Sequence, residues 1–283
     1  MRFVKLQGYG NDYIVCAISE LPTPDALPAF VRRVCARHHG AGADGIAALE
    51  KSTDGAADYH LRIFNPDGSE AAMSGNGSRC AAAYLFHEGL WREAELRLQT
   101  RAGVKTYQLL EADGRGRYRF AAEIGAPRFA SELIPMQTDE PLARVVDYPF
   151  DVDGETVRIT ALEMCNPNVC IVVADFDAVD WRRLGRLIET HARFPARTNV
   201  EFIRAVDHAN IEARIWERGV GETLSSGTGA CAAAIAACLN NLTDRRVTVH
   251  MPGGQLEVFW RADGEVILTG DAEVVYRGEW LQG

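Results

Sequence analysis

Two serines, Ser74 and Ser226, occur in the same setting. Met-Ser-Gly-Asn-Gly-Ser runs from 73 to 78 and Ser-Ser-Gly-Thr-Gly-Ala from 225 to 230. Each stretch leads into an alanine-rich apolar run, Arg79 to Phe86 and Cys231 to Leu239, which predicts a helix buried on all sides. A glycine-rich turn that opens a helix leaves backbone N–H groups unpaired at the positive end of the helix dipole, and such an end holds an anion. Two of them, one per half of the chain, could converge on one small ligand and stabilise a carboxylate or a carbanion forming beside it. A lone Ser-Gly-x-Gly would more simply be a tight turn with a serine N-cap; the duplication argues for a ligand.

The elements around the two turns repeat as well. A strand-like segment precedes each turn, Tyr59 to Phe64 and Ile211 to Trp216, and the alignment sets Arg62 on Arg214, Phe64 on Trp216, Glu70 on Glu222 and Ser74 on Ser226. Glu70 and Glu222 lie in glycine-rich turns and are expected to bond backbone N–H groups there. The pattern predicts an α+β fold of two pseudo-symmetric domains, each a curved, mostly antiparallel sheet around a central helix, with the active site in the interdomain cleft. The first domain is expected over 1–125 with a returning strand at 272–283, and the second over 126–271. Little in 126–147 is periodic, which suggests a linker there or slightly before it. Thr23-Pro24 predicts the N-cap and first position of a helix that Gly40 ends, and a second amphipathic helix is expected from Trp181 to about Ala192.

Composition narrows the function classes. The chain has 283 residues and a formal net charge of −9, without the basic stripe a nucleic-acid partner requires. Arg115 to Arg119 reads as a hairpin tip. The N-terminus lacks a signal h-region and no apolar stretch is long enough to span a bilayer, so no membrane partner and a cytoplasmic location are expected. Seven cysteines without C-x-x-C spacing read as reduced thiols, and the seven histidines contain no H-E-x-x-H. No metal is expected.

Six motifs, in order along the chain, resemble those of the diaminopimelate epimerase family: Gly-Tyr-Gly-Asn-Asp-Tyr at 8–13, Gly-Ala-Asp-Gly at 42–45, Phe-Asn-Pro-Asp-Gly-Ser-Glu at 64–70, Gly-Asn-Gly-x-Arg-Cys at 75–80, Asn-Val-Glu-Phe at 199–202, and Glu-Arg-Gly-x-Gly-Glu-Thr through Gly-Thr-Gly-Ala-Cys at 217–231. The resemblance implies a cofactor-independent, pyridoxal-free isomerase of lysine and peptidoglycan precursor synthesis that converts LL- to meso-diaminopimelate. It implies that Asn11, Asn65, Asn166, Asn199 and Arg218 hold the amino and carboxylate groups of this amino-acid substrate. The backbone amides of Gly75, Asn76, Gly227 and Thr228 would bind the carboxylate beside the reacting carbon. It also implies a homodimer as the assembly to test, although no residue pattern marks an interface.

The catalytic positions depart from the family. Ser74 and Ser226 stand where the family has two cysteines, and Asn168 stands where it has a histidine. Glu217, partner of the second thiol, remains. A cysteine is a few per cent thiolate at neutral pH, whereas a serine hydroxyl needs an adjacent base. Ser226 could use Glu217; for Ser74 the sequence shows no base, since an asparagine amide cannot take up a proton. Three readings follow: an epimerase weakened by its serines, a one-base isomerase or tautomerase acting through Glu217, and a ligand-binding pseudoenzyme. Cys165, where the family usually has glycine, reads as a buried structural cysteine, with a relocated catalytic thiol as the alternative. Cys80 and Cys231 are expected in the core.

Overall fold

Leu6, Ile14, Val15 and Ile46 are fully shielded from solvent. They lie on the first three strands, β1 (Arg2–Gly8), β2 (Asn11–Ala17) and β3 (Gly45–Lys51). Between β2 and β3 comes α1 (Leu27–Cys35), whose Phe30, Val31 and Val34 share a core with Ile14, Ile46 and Phe64. This intervening helix lets β2 and β3 run parallel, pairing Tyr13 with Gly45. β4 (Tyr59–Phe64) and β5 (Glu70–Ala71) form an antiparallel pair, and α2 (Gly75–His87) follows. β6 (Glu95–Thr100) then returns parallel to β4, and β7 (Gly103–Ala112) and β8 (Arg117–Gly125) continue antiparallel. The computed structural model describes residues 1–53 and 55–281.

The second half repeats this scheme. Its elements are β9 (Val145–Val152), β10 (Glu155–Glu163), β11 (Pro167–Val172), α3 (Trp181–Glu189), β12 (Asn199–Asp207), β13 (Asn210–Glu217), β14 (Gly221–Thr223), α4 (Gly227–Leu239), β15 (Arg246–Met251) and β16 (Gly254–Trp260). β11 and β12 are parallel around α3, β13 pairs antiparallel with β14, and β15 runs parallel to β13. The last strand, β17 (Val266–Glu279), lies antiparallel along β1, with Val274 opposite Leu6. The chain forms two units, Met1–Ala122 with the segment from Thr269 onward, and Glu123–Leu268.

Each unit is built on its alanine-rich helix. α2 packs against β1, β2, β3, β4 and β6, and α4 against β10, β11, β12, β13, β15 and β16. Ala81 to Ala83 and Ala232 to Ala237 are buried in unbroken runs. Small side chains all round let strands approach such a helix from several sides, whereas one amphipathic stripe would admit a single layer. Cys80 and Cys231 are both fully buried in these helices, and burial pushes the Cys80 thiol up to about 12. No helix among the described residues is long and apolar enough to cross a membrane.

Several details differ from the sequence expectations. α1 spans less than Thr23 to Gly40: Pro28, not Pro24, lies in its first turn, and no side chain caps it. The N–H groups of Gly42 and Ala43 bond the carbonyls of Val34 and Cys35 at 3.0 and 3.1 Å, which stops the helix there. α3 ends at Glu189 rather than near Ala192. In the aperiodic stretch before β9, Ile134 and Met136 belong to the second unit's core, and the chain passes from the first unit to the second slightly earlier, between Ala122 and Glu123.

Candidate active site

Ser74 and Ser226 are the N-caps of α2 and α4, with backbone angles of φ −139°, ψ 124° and φ −143°, ψ 131°. Ser74 Oγ accepts the Gly77 N–H at 3.1 Å, and Ser226 Oγ accepts the Gly229 N–H at 3.2 Å. Each helix thus closes its third N–H on the serine. The N–H groups of Gly75 and Asn76, and of Gly227 and Thr228, belong to first turns that have no intrahelical acceptors.

Beside each helix end, side-chain amides form a one-way ladder. In the second unit the Arg218 N–H donates to Asn199 Oδ1 at 2.9 Å, and Asn199 Nδ2 donates to Asn168 Oδ1 at 3.2 Å. Asn168 Nδ2 then donates to Asn166 Oδ1 at 3.0 Å, and Asn166 Nδ2 to Thr228 Oγ1 at 3.4 Å. One connected network therefore contains five of the residues singled out from the sequence, and hydrogen bonds in series strengthen one another. Asn168 is fully buried, and both ends of its amide are used to orient Asn166 and Asn199.

The first unit has its own version. The Arg79 guanidinium donates to Asn76 Oδ1, Asn76 Nδ2 to Asn11 Oδ1 at 3.3 Å, and Asn11 Nδ2 to Asp44 Oδ2 at 2.8 Å. Arg37 forks onto Asp12, which also pairs with buried Lys5 at 2.7 Å. Burial opposes ionisation of Asp12, but Arg37 and Lys5 outweigh it and hold the carboxyl down at about 2. Asn65 lies apart from this ladder, its Nδ2 on Ser69 Oγ at 3.0 Å in the loop after β4.

Glu217 ends β13, half-buried, and burial pushes its carboxyl above the ordinary glutamate range. No hydrogen bond joins it to Ser226 among the described residues. The adjacent turn is fixed by Glu189, which accepts from the indole N–H of Trp216 at 2.7 Å and from the Gly219 N–H at 2.8 Å. Glu70 and Glu222 do not bond backbone N–H groups as expected. Arg62 forks onto Glu70 at 2.9 and 3.0 Å, and Arg182 onto Glu222 at 2.7 and 2.9 Å; a bidentate guanidinium is the stronger partner for a carboxylate. Cys165 is exposed rather than buried, at φ +62°, the left-handed region that glycine favours. Its thiol lies 3.6 Å from the Ile124 carbonyl.

Sequence reasoning missed Tyr13, Glu189 and Asp44, and also Glu201. Glu201 is fully buried on β12, with Oε1 lacking any partner and Oε2 3.6 Å from Cys170 Sγ. Burial, with the charge of Glu217 adding to it, raises its carboxyl well above the usual range. Alternation along Asn199-Val-Glu-Phe could have placed this residue inward. A carboxyl whose folded pKa is raised contributes stability below the unfolded value, about 4.3, and loses it as pH rises through the folded one. Glu201→Gln should therefore match the parent in thermal midpoint in acid and exceed it by a few degrees at pH 8, as thermal melts across pH would show. No group of histidine, cysteine or carboxylate side chains suited to a metal ion occurs among the described residues.

The sequence profile of the diaminopimelate epimerase family matches residues 3–129 and 160–275. Diaminopimelate epimerases of Pelotomaculum thermopropionicum and Moorella thermoacetica are 46% identical over 281 residues and 42% identical over 282, each alignment covering 99% of both chains. Among solved structures, a phenazine biosynthesis protein of the PhzF family from Bacillus anthracis superposes with a TM-score of 0.69 at 18% identity, covering 100% of this chain and 99% of that one. A hydroxyproline epimerase from Agrobacterium vitis gives 0.67 at 17%, with 98% and 90% covered. These two share the fold, two domains of the α+β class, and the sequence relatives share the isomerase type: the chain belongs to the diaminopimelate epimerase family.

Proposed function

We propose that this chain inverts one α-carbon of diaminopimelate, LL to meso, as a cytoplasmic enzyme that needs no pyridoxal. The observation that carries the reading is the pair of serine-capped helix ends, alike in backbone angles and each flanked by an amide ladder. Inversion requires removal of a proton from one face of the carbon and delivery to the other. In this reading Ser74 serves one face and Ser226 the other, with Glu217 as the base that activates Ser226. The free N–H groups of Gly75, Asn76, Gly227 and Thr228 suit the carboxylate beside the reacting carbon and the negative charge that grows there. Asn11 and Asn166 orient the reacting end, and Asn65, Asn199 and Arg218 hold the distal amino and carboxylate groups. Asn168 serves by positioning Asn166 and Asn199. A homodimer is the assembly to test alongside this reading.

Proton NMR of the protein with LL-diaminopimelate in deuterated water tests the proposal. Loss of the α-proton signal together with appearance of the meso isomer is expected. Loss without inversion would replace it by one-sided chemistry at Glu217, which the raised carboxyl pKa of that residue favours as the second reading. An unchanged spectrum despite ligand-induced thermal stabilisation would mark a binding protein.

A further inference from the structure

The sequence shows no acid or base beside Ser74, yet the fold supplies one. Tyr13, on β2, is buried, and its phenol oxygen lies 2.8 Å from Ser74 Oγ. The ring is held in a slot that only glycines can line. A Cβ on Gly45 would come within 2.7 Å of ring Cε1, and one on Gly77 within 2.9 Å of the same atom and 3.0 Å of Cζ. Gly77 is also the residue whose N–H binds Ser74 Oγ. Either hydroxyl can donate in this contact; with the phenol as donor, Ser74 Oγ accepts from both Tyr13 and Gly77, which leaves the serine's own proton for a third partner. Ser226 differs. Around Gly229, the equivalent of Gly77, a Cβ would instead first meet Ile215 Cδ1 at 2.9 Å and Glu201 Oε1 at 3.1 Å.

We propose that Tyr13 is the positioning residue that makes Ser74 a proton donor, aligning its hydroxyl outward and replacing the proton that Ser74 gives up. The inference rests on the epimerase reading and deepens it, making the Ser74 side the proton-returning face in the LL to meso direction. The Ser74 O–H bond breaks as its proton passes to the α-carbanion, and the electron pair stays on Oγ. The Tyr13 O–H bond breaks as that proton moves to Oγ, which restores the serine and leaves a phenolate. After product release the phenolate regains a proton from water through Ser74. The Gly77 N–H steadies the transient negative charge on Oγ.

Two measurements decide it. With LL-diaminopimelate in deuterated water, Tyr13→Phe should lower kcat for meso formation about 10- to 100-fold, at or below the low end of what a positioned acid supplies, because Tyr13 acts through Ser74. KM and the thermal midpoint should stay near the parent values, because the ring still fills its slot. An unchanged kcat would overturn the proposal. The second measurement needs no turnover. In a Ser74→Cys background, alkylation by iodoacetamide is followed at position 74 by peptide mass spectrometry, with and without Tyr13→Phe. Loss of the phenol donor should slow alkylation at pH 7 about three- to tenfold, since the thiolate fraction falls while its nucleophilicity rises by less. Equal rates would overturn the coupling. If the parent protein neither exchanges nor inverts diaminopimelate, the epimerase reading fails, and the alkylation pair still decides whether Tyr13 controls the group at position 74.

Discussion

Ser74→Cys combined with Ser226→Cys is expected to raise the rate of meso formation from LL-diaminopimelate by about 10²–10⁴-fold, the range a well-matched acid and base contribute. Each position is an N-cap, so a thiolate placed there would accept the same N–H that the serine now accepts, from Gly77 or Gly229. It would also lie at the positive end of a helix dipole, where thiol pKa values fall. A hydroxyl in the same place gains the same contacts but starts from a far weaker acid. Single variants should recover less than the pair, because inversion uses both faces of the carbon. NMR assay of the two singles and the double measures this. A double variant no faster than the parent would move the limitation to Asn168, where the family has histidine.

Glu217→Gln should reduce inversion by about 10²–10⁴-fold while leaving the fold intact. Glu217 is the carboxylate at the end of β13, and burial raises its pKa. As the base it must be ionised, so the parent's rate should climb with pH through an inflection above the ordinary glutamate value of about 4.3. Glu217→Gln lacks that limb. The effect on stability has the opposite sign. A raised folded pKa gives stability that is complete below the unfolded value and lost as pH rises through the folded one, so the inactive variant should be at least as stable as the parent at neutral pH. A pH–rate profile and thermal melts on the same two proteins separate the effects. Full activity in Glu217→Gln would remove this residue from the reaction.

The site was legible in the sequence to different depths. The two helix ends could be read because all they need is local: a serine cap, glycines in the turn and a run of alanines with no polar face. The strand before each turn was legible for the same reason, by its apolar pattern over a few residues. Glu70 and Glu222 show the limit. Their equivalence in the repeat is real, but Glu222 is held by Arg182 of α3 and not by Arg214, the counterpart of Arg62, whose guanidinium lies 4.5 Å from the Phe176 ring centroid.

By itself, then, the sequence determined the duplication, the two buried helices, their glycine-rich serine-capped ends and the family. The tertiary structure decided what faces Ser74 and which amides join in the ladders. Tyr13 meets Ser74 across 61 positions of chain, and Asn199 meets Asn168 across 31. Helical caps and strand alternation arise from contacts a few residues apart, so composition and period encode them. Cross-strand partners depend on register, which is set when a whole sheet closes on its helix. The parallel pairing of Tyr13 with Gly45 turns an aromatic residue in a strand into the wall behind a serine.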